Sequence, residues 1–600
     1  MNQTTDISLI IQSIIEKSLN LFKRIDRQSD QLLNLIEKWF ELSPDYLALM
    51  DFFLQKPQYI QSMQQSYLQD TMSLWQEQLK HCMEGKVIPI NDKRFSADEW
   101  VNNPFFNFLS QHYLLTKEHV NSLLEHMHHD DEQITKRVRF FARQYLDFLS
   151  PDNFVQTNPQ LIAETLQSNG RNLLLGLQNL LSDIEAGSSR LIITMTDKSA
   201  FKVGETLATT PGKVIYKNNL MELIQYTPNT AKVKSVPLLI IPPWINKYYI
   251  LDLSPHNSLI RWLVDQGITV FVISWVNPDE QYADKEIADY LNDGPISAIN
   301  IIQTQLNVKQ VNALGFCIGG TLLSVLLAYN KANKINDVRS ATFLASMIDF
   351  SDPGDISVFI DEKQIAKLEE HMSSRGYLDG HIMANAFNSL RASDLIWAFF
   401  IRNYLHGLPP VPFDILFWNG DSTNMPSKMH SQYLRWMYLY NDLVKPGKIR
   451  INDTPLDMSN IKTPTFFIST KNDHIAPWKT TYLGFQLMQG KKRFLLGGSG
   501  HIAGIIIPPG GVKYGYYSND INHPNPNDWL QSAHHHTGSW WPEWFKWLKK
   551  ESGRFIEPPV FSKLPYQALV DAPGSYVYQG SHSKPPTLTA PSDAASYTGV

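Results

Sequence analysis

The segment with the clearest chemical potential is GFCIGG at positions 315–320, which places a cysteine between glycines. An apolar run before it predicts a strand, and the run after it predicts a helix. A nucleophile at such a sharp strand-to-helix turn has strained dihedral angles, and Gly315 and Gly319 leave the space that the turn requires. The N-terminus of the helix points at the sulfur and stabilises a thiolate. The sequence therefore predicts Cys317 as a nucleophile; the alternative is a junction that merely buries a cysteine.

Two later loops carry an acid and a base in the order that this kind of nucleophile requires. Asp473 follows the run TPTFFIST, and His501 follows the run KRFLLGG. We expect His501 to be the general base and Asp473 to hold its imidazole in the correct tautomer. Asp349, after the run SATFLAS, is a second candidate for the acid. His474 adjoins Asp473 and is expected to shape the loop rather than to act as the base.

An oxyanion that forms during acyl transfer needs two N–H donors. The first is predicted to be the backbone N–H of Ile318, directly after the nucleophile. The second is expected from residues 244–246, in the loop after the run VPLLIIPP, and Ile245 is our working assignment.

The use of cysteine rather than serine indicates the kind of acyl donor. A thiolate that attacks an oxygen ester forms a thioester, which is uphill, whereas attack on a thioester exchanges one thioester for another. The enzyme-bound acyl group then stays activated for transfer to a hydroxyl. Cysteine therefore favours an acyltransferase that uses thioesters over an ester hydrolase.

The elements that position these residues alternate between strands and helices from about residue 210. Eight short apolar runs predict buried strands of a mainly parallel sheet: GKVIYK, MELIQY, VPLLIIPP, ITVFVISW, VNALGFC, SATFLAS, TPTFFIST and KRFLLGG. With the chain order of nucleophile, acid and histidine, this alternation predicts an α/β-hydrolase fold. We assign the catalytic domain to residues 201–346 and 449–578.

Three other segments flank or interrupt this domain. Residues 1–200 show helical periodicity, beginning with apolar residues between Ile7 and Leu19, and predict a helical N-terminal domain. Residues 347–448 are rich in aromatic residues and predict a cap over the active site, although a purely structural subdomain is the alternative. The segment SWWPEWFKWLKK predicts a terminal helix whose tryptophans lie in the core. Residues 579–600 are small and polar and predict a disordered tail.

Two features of the N-terminal domain could suggest a site. The cluster of His126, His128, His129, Asp130 and Asp131 contains metal-binding residue types, but a solvated helix end explains it better. Cys82 lies in a polar setting and is interpreted as an incidental thiol. We therefore predict no metal.

Composition limits the partners and the compartment. A net charge of -5 gives no reason to expect nucleic acid. Two cysteines argue against a disulfide scaffold and for a reducing compartment. The N-terminus does not resemble a signal peptide, and no apolar run reaches the roughly 18 residues that span a bilayer. We expect a cytoplasmic protein.

Several motifs together resemble those of class I polyhydroxyalkanoate synthases: GFCIGG, PPWINKYYILDLSPHNSL, FWNGDSTNMP, NDHIAPW, GSGHIAGIIIPPGG and SWWPEW. The likeness runs from about residue 80 to 580; an Asn is common before the prolines in GIIIPPGG, and this departure leaves the catalytic residues untouched. The resemblance implies that Cys317 is acylated, that His501 is the base and that Asp473 is the catalytic aspartate. It implies that the substrate is an (R)-3-hydroxyacyl-CoA, with 3-hydroxybutyryl-CoA as the favoured one. Coenzyme A is then a product, and no separate cofactor is expected. It further implies a homodimer whose cap opens on dimerisation, and association with polyester granules and possible granule proteins.

Two other functions compete with this interpretation. A cysteine-dependent hydrolase of dienelactone-hydrolase type also has a G-x-C-x-G turn, but such enzymes are much shorter and lack a large cap. A non-catalytic granule-associated scaffold would suit the amphipathic N-terminus, but it would not need an intact Cys, Asp and His in this order. Release of coenzyme A by the purified protein separates these possibilities.

Overall fold

A computed structural model describes residues 13–14, 16–17, 43–187 and 191–580 of the chain. The described residues form two compact units, one from Met1–Asp197 with Phe387–Val411 and the other from Lys198–Ala386 with Pro412–Val600. Most of the helix predicted between Ile7 and Leu19 lies outside the described residues, as do residues 581–600 of the tail predicted over 579–600. Among the residues that are described, no helix has both the length and the apolar character needed to cross a membrane.

The first unit is helical, in line with the periodicity of its sequence. Its α-helices are Ser43–Gln55, Pro57–Met83, Asp98–Val101, Pro104–Glu125, Glu132–Phe148, Pro159–Gln167, Arg171–Ala186 and Ala398–Phe400. Three of them begin with proline. The N–H of the first residue in a helix has no acceptor within the helix, so proline, which lacks this group, loses no hydrogen bond there. Asn103 and Asn158 cap the N-termini of two helices with their side-chain oxygens.

The histidine and aspartate cluster at 126–131 forms the turn between two of these helices. His126 is the C-terminal cap of Pro104–Glu125, and its Nδ1 is hydrogen-bonded to the hydroxyl of Tyr59 at 2.8 Å. Asp131 caps the next helix by accepting a 2.9 Å hydrogen bond from the N–H of Gln133. These contacts are those of a helix end.

The second unit is built on a sheet that has eleven strands within the described residues. Its strands are β1 (Gly212–Lys217), β2 (Met221–Tyr226), β3 (Leu238–Ile241), β4 (Val270–Trp275), β5 (Val311–Phe316), β6 (Val338–Leu344), β7 (Thr465–Thr470), β8 (Lys492–Gly497), β9 (Tyr516–Ser518), β10 (His534–His536) and β11 (Val570–Asp571). Their spatial order is β10-β9-β8-β7-β6-β5-β3-β4-β2-β1-β11. Strands β3 to β8 are parallel, and the strands at the two sides pair in antiparallel fashion. All eight predicted strands are present, which confirms the predicted α/β fold.

Helices connect the parallel strands, as the right-handed crossovers of such a sheet require. Outside the segment inserted after β6, the α-helices of this unit are Leu259–Asp265, Ile287–Leu291, Ser297–Leu306, Ile318–Ala332, Trp478–Leu487, Pro526–Gln531 and Trp541–Glu551. The central strands are buried along their whole length, because helices cover both faces. Residues of β6 and β7 pair in register across a long insertion, and the rings of Phe343 and Phe467 stack at 4.3 Å.

The segment between β6 and β7 is mainly helical. The α-helices of this segment that belong wholly or partly to the sheet unit are Glu362–Ser373, Gly380–Ser389, Asp414–Asn419 and Ser427–Tyr433. Short strands Tyr377–Leu378 and Met425–Pro426 pair with each other. Residues Phe387–Val411, within the predicted cap, belong to the helical unit, where Asn172 Nδ2 donates to the carbonyl of Leu405 at 2.9 Å. The division of the chain into a separate cap and N-terminal domain stays a prediction.

Candidate active site

Cys317 lies at the turn between β5 and the helix Ile318–Ala332. Its backbone has φ 54° and ψ −126°, a strained conformation for a residue with a side chain. The Cys317 N–H donates to the carbonyl of Leu344 on the adjacent strand at 2.8 Å, and its own carbonyl accepts from Gly320 N–H at 2.9 Å. The surrounding sheet therefore holds the strained residue in place, with its side chain partly exposed at the carboxyl end of the strands.

The two glycines of the motif are required by close backbone contacts. A Cβ on Gly319 would lie 2.1 Å from the carbonyl oxygen of Ile241, at the end of β3. A Cβ on Gly315 would lie 2.4 Å from the Cα of Gly320. Both distances are impossible for real atoms, so a side chain at either position would displace the turn that carries the sulfur.

The structure brings Asp473 and His501 together from the loops after β7 and β8. His501 Nδ1 donates to Asp473 Oδ2 at 2.8 Å, and both side chains are buried. Asp473 Oδ1 accepts hydrogen bonds from the backbone N–H groups of Ile475 at 2.9 Å and Ala476 at 2.8 Å. Each carboxylate oxygen thus has its own donors, which fixes the carboxylate and leaves Nε2 of His501 for other partners.

The electrostatic surroundings of His501 favour its protonated form. Burial alone would lower the pKa of the ring, but the charges of Asp473 and of a Cys317 thiolate, with their hydrogen bonds, raise the pKa of His501 well above its usual value. The ring also stacks on Phe316 with centroids 5.6 Å apart. The arrangement can hold an imidazolium beside a thiolate, which is the reactive form of a cysteine nucleophile.

The loop that carries His501 is anchored from the C-terminal helix. The indole N–H of Trp540 donates to the carbonyl of Gly504 at 3.1 Å, and that of Trp541 to the carbonyl of Ile505 at 2.9 Å. Both tryptophans are fully buried, as is Trp544. They lie in the core, as their sequence indicated, and also fix the backbone that follows the histidine.

The second candidate for the acid has other partners. Asp349 Oδ1 accepts from the backbone N–H of Ser351 at 2.8 Å and from Asn441 Nδ2 at 3.0 Å. His474 follows Asp473 in the same loop, but the histidine that is hydrogen-bonded to the Asp473 carboxylate is His501. The geometry therefore pairs Asp473, rather than Asp349, with the histidine.

The two predicted oxyanion donors lie at the ends of neighbouring strands β5 and β3. Ile318 is the first residue of its helix, where the N–H has no acceptor within the helix. Ile245 lies in the loop after β3, and its carbonyl accepts from the N–H of Thr423 at 3.1 Å. Both N–H groups come from backbone that is held in place, as an oxyanion hole requires.

Two tyrosines at this site were not singled out from the sequence. The rings of Tyr433 and Tyr438 lie 5.6 Å apart and each contacts Phe350. Burial, with the charge of a nearby Cys317 thiolate, raises the pKa of both hydroxyls, so they remain protonated donors. The only sequence signal for them is the aromatic richness of the run YLRWMYLY in the predicted cap.

Comparisons with known proteins give matches over most of the chain. The profile of the "Poly-beta-hydroxybutyrate polymerase (PhaC) N-terminus" matches residues 91–263, and that of the alpha/beta hydrolase fold matches residues 236–506. A poly(3-hydroxyalkanoate) polymerase of Methylorubrum extorquens is 44% identical over 544 residues, which cover 90% of each chain. A poly(3-hydroxyalkanoate) polymerase subunit of Rhizobium meliloti is 43% identical, covering 88% of this chain and 87% of the relative. The corresponding subunit of Cupriavidus necator is 40% identical, covering 87% and 88%.

Proposed function

The chain belongs to the family of poly(3-hydroxyalkanoate) polymerases, and we propose that it takes its 3-hydroxyacyl units from coenzyme A thioesters through a covalent intermediate on Cys317. The preferred unit in this proposal is (R)-3-hydroxybutyryl. The observation that supports the covalent step is the hydrogen bond between Asp473 and His501, together with a pKa of His501 that is raised well above its usual value by the charges of Asp473 and Cys317.

The first half of the proposed cycle acylates the enzyme. The Cys317 thiolate attacks the thioester carbonyl, and the resulting oxyanion accepts hydrogen bonds from the N–H groups of Ile318 and Ile245. When the tetrahedral intermediate collapses, the bond to the coenzyme A sulfur breaks. His501, protonated at the start, supplies the proton that leaves with the coenzyme A thiol.

The second half transfers the acyl group to a hydroxyl. His501, now neutral, removes the proton from the 3-hydroxyl of another acyl unit as that oxygen attacks the acyl group on Cys317. An ester bond forms, the bond to sulfur breaks, and the thiolate and the imidazolium are restored. Asp473 keeps the imidazole orientation fixed through both halves, because its Oδ2 accepts the Nδ1 proton.

Incubation with thioesters of different acyl length tests the substrate assignment. With (R)-3-hydroxybutyryl-CoA the purified protein is expected to release coenzyme A thiol, measured with a thiol reagent, and to form polyester, measured by gas chromatography after methanolysis. With 3-hydroxyoctanoyl-CoA both rates should be lower. Faster use of the longer acyl group would contradict the preference for 3-hydroxybutyryl. Hydrolysis of a lactone without release of coenzyme A would favour a dienelactone-type hydrolase, and neither activity would favour a scaffold.

We further propose that the enzyme works in the cytoplasm at the surface of its polyester product. The helix Pro57–Met83 has apolar residues at intervals of three and four, which places them along one face. These residues are strongly exposed: Leu68 57%, Met72 64%, Trp75 52%, Leu79 47% and Met83 84%. An exposed apolar stripe of this kind suits adsorption to an apolar surface rather than contact with water.

Introducing charge on this stripe is expected to weaken attachment to the product. The double variant Met72→Glu with Leu79→Glu should leave most of the enzyme in the supernatant when polyester granules are sedimented, because each carboxylate would have to be desolvated at the contact. The initial rate of coenzyme A release from soluble substrate should stay within about twofold of wild type, since surface substitutions usually have small effects.

A matched control carries the same two charges on the polar side of the same helix. Gln69→Glu with Ser73→Glu, both at exposed positions, should sediment with granules like the wild type. Equal loss of attachment in both double variants would show that net charge, rather than the apolar stripe, governs the association.

A further inference from the structure

The motif FWNGDSTNMP contacts the loop that carries the proposed second oxyanion donor. The side-chain hydroxyl of Thr423 donates to the carbonyl of Trp244, and its backbone N–H donates to the carbonyl of Ile245 at 3.1 Å. Thr423 is 1% exposed, so both bonds are shielded from water. One residue thus binds two successive carbonyl groups of this loop.

These bonds determine where the next N–H groups point. A trans peptide is planar, and its C=O and N–H point in opposite directions. Among the described residues the cis bond found is Ala572–Pro573, so the peptide between Trp244 and Ile245 is trans. Because Thr423 holds the carbonyl of Trp244, the N–H of Ile245 points away from Thr423.

The loop passes beside the nucleophile turn at its start. The space that a Cβ of Gly319 would fill is occupied by the carbonyl of Ile241 and by Pro242, at 2.1 Å and 2.8 Å. Further along, the ring of Trp244 lies 6.4 Å from that of Tyr433, whose hydroxyl is influenced by the charge of Cys317. The loop that contains Trp244 and Ile245 is therefore in contact with the nucleophile turn at its start and with Thr423 further along.

We propose that Thr423 is a positioning residue that directs the Ile245 N–H to the carbonyl oxygen of the acyl group on Cys317. This inference rests on the proposed acyl transfer and assigns to Thr423 a role that it performs through the backbone of Trp244 and Ile245. It gives the inserted segment a direct part in building the oxyanion hole.

The end of the loop is fixed independently of the Thr423 hydroxyl. The carbonyl of Lys247 accepts a 2.7 Å hydrogen bond from the indole N–H of Trp418, and the buried Lys247 Nζ donates to the carbonyl of Gln579 at 2.6 Å. The backbone N–H of Thr423 would also remain in any side-chain variant. Loss of the Thr423 hydroxyl should therefore allow the Trp244–Ile245 peptide to rotate, while the rest of the loop stays folded.

Thr423→Val tests the inference because valine keeps the shape and removes the donor. The rate of acylation of Cys317 by 3-hydroxybutyryl-CoA in a single turnover should fall by about 10- to 100-fold, less than for complete loss of an oxyanion donor, with KM little changed. Thr423→Ser keeps the hydroxyl and should restore the rate to within about threefold of wild type. Thr480→Val is the matched control, since Thr480 is also buried and donates to a backbone carbonyl, that of Asp352 at 2.6 Å.

Alkylation of Cys317 by iodoacetamide distinguishes a misdirected Ile245 N–H from a general distortion of the active site. This displacement forms no oxyanion, so its rate should be the same in Thr423→Val and in wild type. Acylation of Thr423→Val at the wild-type rate, or a loss of alkylation as large as the loss of acylation, would overturn the proposed role. Absence of acylation in the wild-type protein would instead refute the proposed function.

Discussion

Replacement of Cys317 by alanine is expected to abolish both release of coenzyme A and formation of polyester while the protein stays folded. Alanine has a Cβ in the same place as cysteine, so the backbone at φ 54° is no more strained than before. The hydrogen bonds of the turn are made by backbone groups and are retained. What is lost is the sulfur, and with it the covalent intermediate.

Cys317→Ser should be almost as inactive, although it differs by one atom. A hydroxyl has a far higher pKa than a thiol, so forming an alkoxide at serine demands far more help from His501 than forming a thiolate at cysteine does. Coenzyme A release measures the loss, and circular dichroism with a thermal melt checks folding. Activity of the alanine variant within about a hundredfold of wild type would mean that another group is the nucleophile.

Asp473→Asn is expected to lower the rate of coenzyme A release by about 10³- to 10⁴-fold, as loss of the carboxylate does in comparable triads. Asp473 accepts from two backbone N–H groups on one oxygen and from His501 Nδ1 on the other. An amide cannot accept on both sides, so its NH₂ group would face either the backbone donors or the ring. The second arrangement forces the wrong tautomer of His501.

Asp349→Asn is the matched comparison, because it removes one carboxylate from the other candidate position. Its carboxylate binds Ser351 N–H and Asn441 Nδ2 through the same oxygen, Oδ1, which an amide oxygen can replace. We expect less than about a tenfold loss of rate. Losses of equal size in the two variants, or a larger loss for Asp349→Asn, would transfer the role of the acid to Asp349.

The sequence was informative about the parallel part of the sheet for a physical reason. Strands buried on both faces are expected to be apolar runs, and six of the eight predicted runs became the parallel strands β3 to β8; the other two became the antiparallel strands β1 and β2. Strands β9 to β11 were not predicted, because they are two or three residues long and lie towards the sides of the sheet. The run His534–His536, for example, has no apolar pattern at all.

The residues of the candidate site could be predicted only where local sequence fixes their position. The cysteine turn and the loops of Asp473 and His501 follow strands directly, so their place at one edge of the sheet follows from chain order. Thr423, Tyr433 and Tyr438 reach the site by folding of the long insertion, which carries no comparable local signal. The membership of residues 387–411 in the helical unit likewise depends on tertiary contacts.

The pairing of β11 with β1 has a consequence for the order in which the protein folds during its synthesis. Lys213 of the first strand lies in register with Asp571 of the last, and Lys247 Nζ depends on the carbonyl of Gln579. During synthesis from the N-terminus, the edge of β1 stays open and the ammonium of Lys247 lacks this acceptor until residue 579 has emerged. The sheet is thus expected to be completed late, when β11 has been translated and pairs with β1. A nascent chain stalled before that point would present the unpaired edge of β1 to other chains.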